Sequence, residues 1–76
     1  MNQERTVSLK EIRERVESCD IVCTKIGNSY IQCIKCELTD TERRYLVNEL
    51  DCISMPFKEG LKIRFYLPSN VKLVKD

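Results

Sequence analysis

The chain has 76 residues, 42% hydrophobic and 33% charged, with a net charge of +1. That length and mix allow one globular domain, residues 1–76, and exclude a disordered chain, an acidic tail or a strongly basic nucleic-acid coat. His is absent and Gly occurs only twice, so no Ser-His-Asp or Cys-His catalytic arrangement and no glycine-rich phosphate loop can be written.

Residues 1–6 read as a frayed start. The first ordered element begins at Ser8-Leu9-Lys10-Glu11, a capping box with Ser8 as N-cap and Glu11 at N3. Val7 and Ile12 fit the hydrophobic staple, and Leu9, Ile12 and Val16 form one apolar stripe. The pattern predicts a helix over 9–18 whose charged positions face solvent. The period then changes. Asp20 to Ile26 and Tyr30 to Cys36 are β-branched and apolar around Gly27-Asn28-Ser29, which predicts a hairpin.

Residues 38–50 admit two readings. Thr39-Asp40-Thr41-Glu42 has the form of a second capping box, with Leu46 and Leu50 one turn apart. Arg43 at the staple position and Glu49 near the C-terminal end of the dipole speak for the other reading, a turn followed by a strand from Arg43 to Asn48. Cys52 to Met55 reads as a short strand leading into a turn at Pro56–Gly60. Leu61 to Leu67 alternates cleanly, with Leu61, Ile63, Phe65 and Leu67 on the core face and Lys62, Arg64 and Tyr66 on the other. Pro68-Ser69-Asn70 turns the chain into a last short strand, Val71 to Val74. The expected fold is α+β: an N-terminal helix on a small, mostly antiparallel sheet or small barrel of four to five strands, with a second helix at 40–50 as one of the two readings.

Three groups of side chains carry chemical potential. The first is the cysteines: Cys19, Cys23, Cys33, Cys36 and Cys52. Four thiolates from Cys19, Cys23, Cys33 and Cys36 would suit tetrahedral zinc if they were gathered. A two-residue turn sets Cys19 opposite Cys36, and a three-residue loop sets Cys23 opposite Cys33; neither register gathers all four. An odd number of cysteines and a polar start, Met1 to Arg5, argue against a disulfide framework and for a soluble, cytoplasmic protein with reduced thiols. Plain core cysteines are the favoured reading, ahead of a zinc site or a redox pair.

The second group is Lys62, Arg64 and Tyr66, two cations and a ring in a line on a strand. They suit a single-stranded nucleic acid, the cations meeting phosphates and the ring stacking on a base, although such a stripe is more often a solvated face. The third is Arg43, Arg44 and Tyr45, residue types favoured as interface anchors. With no catalytic set and no cofactor loop, an enzyme is not expected. The sequence reads best as a small regulatory protein, an adaptor or inhibitor of a larger partner protein. A single-stranded nucleic-acid-binding module is the alternative, and a homodimer is compatible with either. No apolar run approaches the roughly 18 residues of a membrane span.

Overall fold

The computed structural model describes residues 4–23 and 29–74. The element order is β1 (Arg5–Ser8), α1 (Leu9–Arg15), β2 (Cys19–Cys23), β3 (Ser29–Ile34), α2 (Asp40–Arg44) running directly into a π-helical segment (Tyr45–Glu49), β4 (Ile53–Phe57), β5 (Lys62–Tyr66) and β6 (Val71–Val74). The fold is α+β. Four antiparallel strands in the order β2-β3-β5-β4 form an open sheet, and β1 pairs parallel with β6 in a separate two-stranded sheet. The open sheet does not close into a barrel.

The chain begins differently from the sequence expectation. Arg5 and Thr6, read as frayed, are strand residues: Arg5 to Ser8 pair with Val71 to Val74, and the Arg5 amide donates to the Asn70 carbonyl at 2.8 Å. Burial of Val7 and Val71 holds this ladder on the core. Ser8 then caps α1, its Oγ accepting from the amides of Lys10 and Glu11. Val7 and Ile12 are both buried, as the staple requires. The helix ends at Arg15 rather than at residue 18, because Val16 leaves helical geometry (φ −132°, ψ 70°) while still burying its side chain.

Residues 40–50 are helical, and the strand reading of Arg43 to Asn48 is overturned. The Thr39–Glu42 capping box is complete: Thr39 Oγ1 accepts from the Glu42 amide at 3.1 Å, and the Glu42 carboxylate accepts from the Thr39 amide at 3.1 Å. The same carboxylate has Ser18 Oγ within 3.0 Å of both its oxygens. It also accepts from the Ser18 amide at 3.3 Å. One side chain therefore starts α2 and ties it to the link between α1 and β2. The helix then widens. The Leu50 amide reaches back five residues to the Tyr45 carbonyl (3.1 Å), and the Cys52 amide reaches Leu46 (2.9 Å). This wider repeat sets Tyr45 and Leu50 nearly in line, so that Tyr45, Leu46 and Leu50 bury together. Asp51, with φ 55°, supplies the left-handed residue that ends the segment.

One face of the open sheet is core. Ile31, Cys33 and Phe65 pack with Ile12, Val16, Leu46 and Leu50, all at most 2% exposed, and Ile63 and Leu67 pack at the margin. Leu61 was expected on this face and is 70% exposed instead. It closes the β4–β5 turn, its amide donating to the Lys58 carbonyl at 3.1 Å. The two residues between, Glu59 (φ 56°) and Gly60 (φ 83°), have the φ signs of a type I′ turn.

Two predictions follow from these local observations. Glu occupies a left-handed position that Asn tolerates better, so Glu59→Asn should stabilise the protein by about 0.5 kcal/mol, or roughly 2–4 °C in Tm; thermal unfolding followed by circular dichroism checks this. The second concerns Glu42. Partial burial pulls its carboxyl upward, but the hydrogen bonds from Thr39 and Ser18 outweigh this and hold it below the usual carboxylate value of 4.5. A depressed folded-state pKa means the stabilisation is complete above about 4.5 and is lost as pH falls through the folded value. Urea unfolding between pH 7 and pH 3 should therefore show stability falling on the acid side, and the fall should be shallower in Glu42→Gln.

Candidate functional site

The opposite face of the open sheet has no cover. Its register lines the side chains up in three rows. One row runs Ile53, Tyr66, Tyr30 and Val22 across the four strands. The next runs Met55, Arg64, Gln32 and Asp20, and the third Phe57, Lys62 and Ile34. None of these eleven side chains is buried. Ile53, Met55 and Ile34 are 64%, 53% and 39% exposed. At a strand spacing of about 4.8 Å the three rows cover about 400 Å².

Arg64 organises the middle of this surface. Its guanidinium lies 3.6 Å from the centroid of the Phe57 ring and 4.6 Å from that of Tyr30. Its Nε donates to Gln32 Oε1 at 3.0 Å, and its Nη1 donates to the Tyr66 hydroxyl at 3.3 Å. Tyr30 and Tyr66 face each other with ring centroids 5.5 Å apart. A planar cation that stacks on two rings and donates to two neighbours holds four side chains on three strands in one arrangement. Apolar residues ring this polar centre. Such a surface offers a protein partner side chains of the kind that dominate interfaces, Tyr, Phe, Met and Arg.

The expected site residues fall in two places. Lys62, Arg64 and Tyr66 share the open face, as their alternation implied. Tyr30, Gln32, Phe57, Met55 and Ile53 complete it and were not foreseen. Their signal lay in the cross-strand register, which alternation within one strand does not supply. Arg43, Arg44 and Tyr45 do not join them. They sit on the helical side of the sheet, and Tyr45 is a core residue, 7% exposed, with the Arg15 guanidinium 4.8 Å from its ring centroid. Burial, helped by the charge of Glu11, pushes its phenol above the ordinary value. Arg43 and Arg44 remain exposed. Arg44 borders two open grooves, one of about 280 Å³ beside Arg15 and Glu49 and one of about 420 Å³ running to Ser54 and Ile63 on β4 and β5.

The cysteines correct the sequence reading most sharply. Neither expected register occurs. Cys23 pairs with Ser29, Cys19 stands opposite Cys33, and the turn read at Gly27-Asn28 lies outside the described residues. Cys19 and Cys33 form a disulfide, with Cα atoms 4.4 Å apart. That spacing belongs to a non-hydrogen-bonded antiparallel pair, whose side chains approach most closely. The thiols are therefore not all reduced. Cys36 is free and exposed, and Cys52 is free and buried. Burial, then the charge of Asp51, pushes the Cys52 thiol up to about 12. The four thiolates of a zinc site are not gathered: two are joined to each other, Cys36 lies beyond the strand, and the Cys23 side chain is outside the described residues. Among the described residues no cluster of three potential metal ligands occurs, and no helix is long and apolar enough to cross a membrane. Lys72, expected to guard the last strand, pairs with Glu4 at 2.6 Å, and Lys75 lies outside the described residues.

Comparison of the chain with known protein families, with characterised proteins and with solved structures finds no match in any of the three.

Thiol chemistry offers a direct check. Non-reducing peptide mapping should recover a Cys19–Cys33 cross-link. Iodoacetamide should label Cys36 in the native protein and Cys52 only after unfolding, since a buried thiol with so high a pKa yields almost no thiolate. Reduction should lower stability by up to about 3 kcal/mol, the scale for a loop of this length.

Proposed function

We propose that the protein is a non-enzymatic binding module, an adaptor or inhibitor that docks a larger protein through the uncovered face of its four-stranded sheet. The observation that carries this reading is the conjunction on one face of exposed Ile34, Ile53 and Met55 with the Arg64-centred group of rings. Isolated exposed apolar residues need no explanation, but a contiguous patch of this size around a fixed aromatic and arginine centre is the composition of an interface. About 400 Å² is half the area that one partner of a standard complex contributes. The proposal is therefore a transient regulatory contact rather than an obligate assembly.

A single-stranded nucleic acid fits this face less well. Its described rows carry two cations, Lys62 and Arg64, against one carboxylate, Asp20. Arg64 is already committed to Gln32 and Tyr66. Few phosphates could be neutralised, and binding of that kind draws its strength from phosphate contacts.

The test is native mass spectrometry of the protein isolated from its own host, followed by binding measurements with the protein it carries. An Ile53→Asp/Met55→Asp variant should bind at least about tenfold more weakly, the effect of losing interface hot spots. Because both residues are exposed on an edge strand, the fold should survive. Undiminished binding by the variant, or a co-purifying oligonucleotide displaced by salt, would overturn the reading.

A further inference from the structure

The groove bounded by the second helical stretch and β4 belongs to the other side of the molecule and is independent of the docking face. Arg43 and Arg44 stand at its mouth. Val47, 39% exposed, and the half-buried Ile63 give it apolar walls, and Asn48 and Ser54 add hydrogen-bonding groups. Its volume of about 420 Å³ falls within the range of small-molecule sites.

The charge balance around it is uneven for a structural reason. Neither guanidinium makes an ion pair among the described residues, whereas the carboxylates beside them are engaged elsewhere. Glu42 is held by Ser18 and Thr39. Glu49 pairs with Arg15 at 3.2 Å. Two arginines at one mouth are thus left without an answering charge, directly above apolar walls. The π-helical widening begins at the very next residue, Tyr45, and turns Leu46 and Leu50 inward while leaving Val47 and Asn48 at the groove. Such widenings are frequently found at functional sites.

We propose that this groove binds an amphipathic anion: a carboxylate or phosphate held by Arg43 and Arg44, carried on an apolar body that lies along Val47 and Ile63. Guanidinium groups suit either oxyanion, because their paired N–H donors match its oxygens. An apolar body supplies the burial that an exposed ion pair alone lacks.

The probe is 1-anilinonaphthalene-8-sulfonate, an anion on an aromatic body, titrated against the folded protein and read by fluorescence. Saturable binding is expected, weakened about tenfold or more in Arg43→Gln/Arg44→Gln, the scale for lost charge-assisted hydrogen bonds. The Ile53→Asp/Met55→Asp variant of the opposite face should bind the probe as the wild type does, which separates this site from the docking surface. Displacement by octanoate alone would identify a carboxylate ligand, and by octyl phosphate alone a phosphate; displacement by both supports the shared oxyanion site. Uncharged N-phenyl-1-naphthylamine should bind much more weakly. Equal binding of the neutral probe, no loss in the double arginine variant, or no saturable binding would overturn the proposal. Near-ultraviolet circular dichroism on each variant verifies that fluorescence does not report a loosened core.

Discussion

Phe65 sits at the centre of the open sheet, fully buried, with Ile31 beside it on the neighbouring strand. The rest of the structure depends on covering that pair. A chain of this size has little material for the task, and only the short helices α1 and α2, with the π-helical continuation, supply it. They give Ile12, Val16, Leu46 and Leu50 to one face. Truncating a buried Phe in such a core costs about 3–5 kcal/mol, a large fraction of the stability a small domain has. The helices are therefore committed to one side of the sheet, and the other side stays open.

An open face of this kind would ordinarily be polar, with alternation hydrophobic-in and polar-out. Here it is polar only at its centre. Arg64 resolves what would otherwise be an awkward set of exposed rings, because its flat cation stacks on Phe57 and Tyr30 while its edge donors reach Gln32 and Tyr66. The same contacts take Arg64 out of service as a free phosphate clamp. Its chemistry points to a stiff platform on which the surrounding apolar side chains are displayed. A ready-ordered surface loses little side-chain entropy on binding, which is how a small patch reaches useful affinity.

Local signals were readable in the chain, and long-range ones were not. Ser8 and Thr39 act through their own next few amides, so both helix starts could be seen in the residues themselves. The alternation of Leu61 to Leu67 placed Arg64 and Tyr66 on one face for the same reason, although the turn captured Leu61. The parallel pairing of β1 with β6 joins positions more than sixty residues apart, and nothing in Arg5 or Thr6 announces it. The β2–β3 register hides in the length of the connection between the strands, and slipping it by one residue exchanges the faces. The cysteine pairing was therefore misread along with it. The π-helical widening was equally hidden, because Leu46 and Leu50 are four apart and satisfy an ordinary helix just as well.

That widening also explains why the two candidate surfaces can coexist. In a regular helix, Arg43, Val47 and Leu50 would share a side, and a buried Leu50 would draw Val47 toward the core. Closing on five residues instead lets Leu50 align with Tyr45. Val47 and Asn48 are then left toward β4, where Ser54 and Ile63 complete the groove. β4 is an edge strand: its Ser54 belongs to that groove, while its Ile53 and Met55 belong to the open face. Because successive strand residues point to opposite faces, one short edge strand serves both surfaces. A ligand on one side would contact a strand whose other side carries the docking residues.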